Sequence, residues 1–454
     1  MRRAPLGAFC LALALVCAGC SSSLEDAVER LAGTPEEKTR ACQDLLLAKE
    51  QAVGPLLAAL DDPRLAAARP LLVEVLSGLM MRVADDRIEP ALLRLLRADP
   101  DPRVRAAVAT RMGLFARAAA AGPLLQALRD ADGQVRHQAL LALASLGGRL
   151  DSQQQAALRE RALALQRDEH PGVRAEAAIH IADLVSERVR QAREHEVRAE
   201  MAQAESLYSA ALAFSPDSRQ ASYRLGRFYL DSGQREKGLR LLREHGMLLD
   251  VRRLSAAPVI DGRLDEPVWQ EAARIDSLFL HTPVHKASLP AEWRTQFRVG
   301  YTPDALYVGF RGFDACPDSL VVGVQRFDDY SYGTWKEDRI EVFVDSDFDH
   351  KTYMHMSANS RGIATDAWHE HAGTDEYDVS WNARAQAAAH VGADLWSVEY
   401  RLEPDGRTVH APRQGALWGF DCARVFRGGE FGQWVRTFEG NAHAPDEFGV
   451  LRFR

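Results

Sequence analysis

Tryptophan is missing from the first 268 residues of this 454-residue chain; all eight copies fall between Trp269 and Trp434. Halves so unlike in aromatic content are built for different tasks. Excess positive charge is also missing: Lys and Arg number 56 against 64 Asp and Glu, a formal net charge of −8. A broadly basic nucleic-acid binder is thereby excluded, because neutralising phosphates needs clustered positive charge. Long hydrophobic runs are lacking too. The apolar stretch Leu6–Val16 has eleven residues, whereas a helix crossing the hydrocarbon core needs about 20. Cysteine is scarce, at six, and Cys42, Cys316 and Cys422 show no zinc spacing. No Gly-rich phosphate loop, H-E-x-x-H helix or Ser-His-Asp signature occurs. What is there is 46% hydrophobic and 26% charged, the composition of packed domains.

The N-terminus carries a targeting pattern. Met1-Arg2-Arg3 is a short positive region ahead of the apolar stretch. Val16-Cys17-Ala18-Gly19-Cys20, followed by Ser21-Ser22-Ser23, resembles the lipobox of bacterial lipoproteins. The resemblance implies cleavage before Cys20, lipidation of Cys20 and, with Ser21 rather than Asp next, an outer-membrane destination facing periplasm or cell surface. Residues 1–19 are then a signal peptide and 20–23 the lipidated cysteine and tether. Ordinary secretory cleavage near Ala18 is the other reading. In an oxidising compartment Cys316 and Cys422 either pair as a disulfide or stay as buried thiols.

Residues 24–193 read as helical repeats. Pro55-Leu56-Leu57, Pro90-Ala91-Leu92-Leu93 and Pro123-Leu124-Leu125 recur at spacings of 35 and 33 residues. Between them lie Arg103-Val104-Arg105, Gln134-Val135-Arg136 and Gly172-Val173-Arg174, with valines 31 and 38 residues apart. A period in this range marks stacked helical pairs. The pattern resembles HEAT repeats, whose second helix opens with D-x-x-V-R-x-x-A. From 194 to 253 the character changes: Leu225-Gly226-Arg227-Phe228-Tyr229 with Gly233 resembles the core of a tetratricopeptide repeat and is expected to cap or extend the solenoid. The whole half serves either as a surface for an envelope protein partner or as a spacer.

Residues 254–454 switch to period two. Leu306–Phe313, Arg339–Asp345 and Trp396–Leu402 alternate between Gly, Pro and Asp turns, the pattern of antiparallel strands in a β-sandwich. The fold class expected is therefore multidomain, an N-terminal α-solenoid followed by an antiparallel β-sandwich.

Five ordered blocks in this half resemble carbohydrate-binding module family 9: Ile260–Trp269, Ala305–Phe310 with Asp314, Trp335–Asp345 with Asn359 and Gly362, Trp418–Asp421 with Arg424, and Pro445–Leu451. The resemblance implies a sugar held between two tryptophans, with polar side chains on its hydroxyls. Carried over by position, Trp335 is the first clamp tryptophan, and Glu341 and Asn359, with Asp338 beside them, are the polar groups. The second clamp position, near Ala442, holds no tryptophan; Trp368, Trp434 and His443 are the substitutes within the domain.

Other chemistries remain open. Asp338 with Glu341, or Glu399, offers a carboxylate pair for glycoside hydrolysis, which needs two such groups ~5–9.5 Å apart. Asp345-Ser346-Asp347-Phe348-Asp349 spaces three carboxylates at alternate positions, suiting either Ca²⁺ or a solvated turn. Met354-His355-Met356 and His369-Glu370-His371 are softer ligands, and related sandwiches hold haem through Met and His. The reading taken forward is a lipid-anchored glycan-binding protein that is not an enzyme, requires no cofactor beyond an optional Ca²⁺, and contacts no nucleic acid.

Overall fold

The computed structural model describes residues 23–115, 117–280, 293–330, 336–370, 377–426, 430–435 and 442–454. Trp335, Cys20 and His371 lie outside the described residues. The chain divides into two compact units, Met1–Ala177 and Ala178–Arg454.

The first unit is helical: Leu24–Glu29, Pro35–Ala48, Glu50–Ala59, Arg69–Met80, Ile88–Ala98, Pro102–Leu114, Ala121–Ala127, Gly133–Leu146 and Ser152–Leu165, followed by the start of Pro171–Val197. Its core is aliphatic, with Leu72, Leu92, Val104, Leu124, Val135, Leu140 and Val173 fully buried. The V-R motif owes its form to a ladder of ion pairs. Arg105 grips Asp130 with two bonds of 2.7 Å, and its remaining nitrogen donates to the Asp99 carbonyl. Arg136 repeats this on Asp168 at 2.6 and 2.8 Å, and donates to the Asp130 carbonyl. Each receiving aspartate also accepts the backbone N–H two residues on, at 2.9 Å, shaping the turn that opens the next helix. Arg174 reaches its own loop carbonyls, Asp168 and Glu169, with no carboxylate bonded to it among the described residues. The helices approach closely where side chains are small: a Cβ on Gly113 would lie 2.7 Å from the Ala142 Cα.

The second unit joins helices to the sandwich. The strands are β1 Leu248–Val251, β2 Ala273–Ile275, β3 Phe279–Leu280, β4 Thr295–Thr302, β5 Ala305–Phe313, β6 Arg339–Asp345, β7 Tyr353–Asn359, β8 Ala364–His369, β9 Tyr377–Asp378, β10 Ala385–Val391, β11 Leu395–Leu402, β12 Leu417–Phe426, β13 Glu430–Gln433 and β14 Gly449–Phe453. The larger sheet runs β1-β14-β12-β6-β7-β8-β9, with β13 pairing β12 and β3; the smaller runs β10-β11-β5-β4-β2. All pairings between these strands are antiparallel except β1 with β14. The sheet thus begins ahead of Leu254, where the period-two pattern becomes visible. Strand alternation sends Ile340, Val342, Val344, Met354, Met356, Phe420 and Cys422 into the core between the sheets.

The expectation for residues 194–253 is refined here: the helices Met201–Phe214, Arg219–Asp231 and Arg235–Glu244 lie in the second unit, where they pack on the end of Pro171–Val197 and against the sandwich. Tyr223 donates to the Phe448 carbonyl at 2.6 Å, Arg224 pairs with Asp446 and Glu447, and Trp434 Nε1 donates to the Gly246 carbonyl at 3.1 Å. Glycines allow the helical hairpin to close: a Cβ on Gly226 would lie 2.8 Å from Leu242. The disulfide is also corrected. Cys316 and Cys422 are free thiols, Cys316 exposed after β5 and Cys422 buried between the sheets, because its place on β12 faces the core.

The motif I-D-G-x-L-D-E-P-V-W has a structural reason. Glu399 of β11 is fully buried and accepts four hydrogen bonds: Asp261 N at 2.9 Å, Gly262 N at 2.8 Å, Leu264 N at 3.0 Å and Trp269 Nε1 at 2.8 Å. Burial pushes its pKa up against the three backbone donors. Gly262 is required because its φ is +88° and a Cβ would meet the Ala389 backbone at 2.4 Å.

Candidate functional site

On the larger sheet, residues alternate between the core and an outer face. The outer face of β6 carries Arg339, Glu341 and Phe343. Across from them on β7 stand Asn359, Ser357 and His355. On β8, Thr365 faces Ser357, Ala367 faces His355 and His369 faces Tyr353. A segment ahead of the short helix Pro445–Glu447 adds His443. The alternation of β7 puts His355 on the side opposite Met354 and Met356.

Glu341 is recessed. Arg339 donates to its Oε1 through Nε at 2.8 Å and through Nη2, and its Oε2 lies 3.8 Å from His355 Nε2. Ser357 and Thr365 hydroxyls bond each other at 2.7 Å. This floor of charge and hydroxyl runs into a wall of rings. Phe343 stacks on His355 at 4.6 Å between centroids, and Tyr353 stacks on His369 at 4.4 Å. His443 lies 4.9 Å from both His355 and His369 by ring centroid, with its Nδ1 2.9 Å from the Tyr353 hydroxyl.

Burial disfavours the charged form of two of these imidazoles. Burial, then His443, pulls His369 down to about 3. Burial, then His443, His369 and Arg339, holds His355 well below the ordinary histidine range. His369 is 3% exposed. Neither of its ring nitrogens, nor Nε2 of His355, has a hydrogen-bond partner among the described residues. Each such buried group costs about 1–3 kcal/mol.

Several sequence-predicted residues sit elsewhere. Asn359 is fully buried: its amide nitrogen donates to the Val324 carbonyl and Glu337, and its oxygen accepts from Arg361 N and Ile363 N. Asp338 is fully buried and accepts Val321 N at 2.7 Å. Both fasten loops rather than face the floor around Glu341. Trp368 and Trp434 pack on the core side of the sheet, so of the three clamp substitutes His443 alone stands on the outer face.

The acidic triplet is a turn. Asp345, Asp347 and Asp349 bring one oxygen each within 4.8 Å of the others. However, Asp345 accepts Asp349 N and His350 N, and Asp349 accepts Lys351 N and Thr352 N. Backbone amides thus take part of the oxygen capacity Ca²⁺ would use, and burial, then Asp347, pushes Asp345 up to about 8. Haem does not fit either: Met354 and Met356 are in the inter-sheet core, on the face opposite His355. Among the described residues no helix is long and apolar enough to cross a membrane.

Comparison with known proteins follows this division. The family model for HEAT repeats matches residues 88–182, and that for carbohydrate family 9 binding domain-like proteins matches residues 260–452. No curated protein matches the chain. Among solved structures, a family 9 carbohydrate-binding module from Caldicellulosiruptor kristjanssonii in complex with cellotriose is 17% identical, covering 46% of this chain and 93% of that one at a TM-score of 0.35. The same organism's module in complex with glucose is 18% identical, covering 45% and 95% at 0.34. The CpcE–CpcF complex of phycocyanin lyase from Nostoc sp. is 24% identical, covering 34% and 95% at 0.29. The two family models thus match separate parts of one chain, the helical repeats and the β-sandwich.

Proposed function

We propose that the sandwich binds a carbohydrate on the outer face of its larger sheet, as a non-catalytic module held at the cell envelope. The observation that carries this reading is the family match over 260–452 falling on a sandwich whose outer face holds Glu341 beside a wall of rings. Trp335, just ahead of β6, supplies the stacking face, and Arg339 with Glu341 takes hydroxyls. Exposed Phe327, Tyr330 and Tyr377 add aromatic surface from nearby loops and β9. Hydrolysis is disfavoured because Asp338 and Glu399, the carboxylates that could act beside Glu341, are each occupied by backbone N–H groups.

Loss of one stacked aromatic costs ~1–2 kcal/mol, or about tenfold in affinity. Titrating the mature chain with soluble oligosaccharides, followed by tryptophan fluorescence, tests this. Trp335→Ala and Glu341→Gln are expected to weaken binding about tenfold or more. Equal binding by wild type and both variants would remove the site from this face, and release of reducing sugar would make the protein an enzyme.

Export and lipidation at Cys20 complete the reading, with the outer membrane as destination. Cys20→Ser is expected to move the protein from the membrane to the soluble fraction. The helical repeats carry an envelope partner or set the distance between anchor and sandwich. Crosslinking of the full chain in native envelopes separates these, since a spacer captures no recurrent neighbour.

A further inference from the structure

We infer that His355, His369 and His443 form a binding site for a divalent transition metal, Zn²⁺ in the first instance, on the outer face of the larger sheet. One ring nitrogen of each lies within 4.8 Å of the others. Imidazoles on a tetrahedral Zn²⁺ at ~2.0–2.1 Å bring their nitrogens to ~3.4 Å, so a small closure of the rings completes the arrangement. This inference does not rest on the carbohydrate reading.

Three observations set the cluster apart from ordinary ring packing. First, His369 is 3% exposed and both its ring nitrogens lack a hydrogen-bond partner among the described residues, as does Nε2 of His355. Phenylalanine would fill the same volume without burying those nitrogens. Second, the three rings converge from separate parts of the chain, His443 lying 4.9 Å by centroid from both His355 and His369. Third, the surroundings suit a held cation. The Tyr353 hydroxyl lies 2.9 Å from His443 Nδ1, the contact by which a metal-binding imidazole is commonly oriented through its second nitrogen. Glu341 Oε2, at 3.8 Å from His355 Nε2, supplies negative charge, and Phe343, Tyr353 and Phe448 form a dry wall.

Three nitrogen donors with neither thiolate nor methionine select borderline metals, Zn²⁺ among them, over Ca²⁺ and Mg²⁺. Met354 and Met356 turn to the other side of the strand. The acidic triplet at the end of β6 is a separate feature and is no part of this site.

The test uses tag-free mature protein stripped of metal, titrated with Zn²⁺ by calorimetry and with Co²⁺ by visible absorption. Stoichiometric Zn²⁺ binding is expected, with a raised Tm and cobalt ligand-field bands of a nitrogen-rich tetrahedral site. His443→Gln and His369→Gln should each lower affinity about tenfold or more, while Asp347→Asn leaves it unchanged. His443 is half-buried, so its variant reports even if His369→Gln fails to fold. Absence of Zn²⁺ and Co²⁺ binding in the wild type would overturn the site. Binding that survives in folded His443→Gln, or that falls with Asp347→Asn, would overturn it equally.

Discussion

The helical repeats and the sandwich solve the same problem, burial of charge, at opposite ranges. In the repeats each buried ion pair joins residues 25 to 32 positions apart, as in Arg105–Asp130 and Arg136–Asp168. In the sandwich the corresponding tie joins Glu399 to Asp261 across 138 positions. Repeats whose contacts reach only the next repeat sum their stability locally, whereas a sandwich closed by distant pairings must form together. Damage should therefore stay local in the first unit and spread in the second.

Replacing Glu399 by Ala gives the largest expected effect. It orphans three backbone N–H groups and an indole N–H inside the sandwich, at about 4 kcal/mol or more in total. Chemical denaturation followed by tryptophan fluorescence should show the sandwich transition lost or moved far down, since all tryptophans lie in that half. The contrast with the repeats fails if the helical transition seen by circular dichroism moves by as much.

Arg136→Ala is the matching break in the repeats. Its guanidinium and the Asp168 carboxylate are each 8% exposed, and removing one partner of such a pair costs about 3 kcal/mol. Circular dichroism should register the loss while tryptophan fluorescence does not.

Gly113→Ala comes next. With a Cβ 2.7 Å from the Ala142 backbone, the paired helices must shift, at roughly 2 kcal/mol. A full-strength repeat transition in this variant would show that the interface has room to spare.

A pH prediction sharpens the second unit. His350 lies 3.0 Å from Arg227 of the docked helix, and burial, then Arg227, pulls its pKa down to about 3. A depressed histidine adds stability above its unfolded value, ~6.5, that is lost as pH falls from there toward 3. At pH 5 the loss is about 2 kcal/mol. His350→Gln should flatten that part of the stability profile; an unchanged acid slope would remove His350 as a cause.

Arg103→Ala is the smallest change. Its bond to Asp101 is exposed, the arginine side chain at 76%, and melting curves should superimpose on the wild type.

How far the sequence reached depended on range as well. The V-R repeats and the period-two strands are local patterns, readable from their spacing, whereas the burial of β6 on both faces is not. The facing of single residues follows only once the strand is placed: on β7, Met354-His355-Met356 sends the methionines one way and the histidine the other. What escaped was whatever depends on register between distant strands. Asn359 and Asp338 looked like sugar ligands until the loop at 321–324 closed over them. Cys422 could not show its distance from Cys316, nor could Tyr223 and Arg224 show that the carbonyls and carboxylates at 446–448 awaited them. No motif joins the histidines at 355, 369 and 443, which stand 14 and 74 positions apart; only β7–β8 pairing and the return of the chain before β14 bring them together.

The aspartate–arginine ladder makes the helical unit adjustable in length. Every receiving aspartate presents the same carboxylate and the same turn to whichever arginine precedes it. Removing the stretch from just after Arg105 through Arg136 would therefore offer Asp168 to Arg105 in place of Asp130, and inserting a copy of that stretch would add a rung without creating a new kind of joint. Gain or loss of whole repeats can thus lengthen or shorten this arm by fixed increments while leaving every residue of the sandwich untouched.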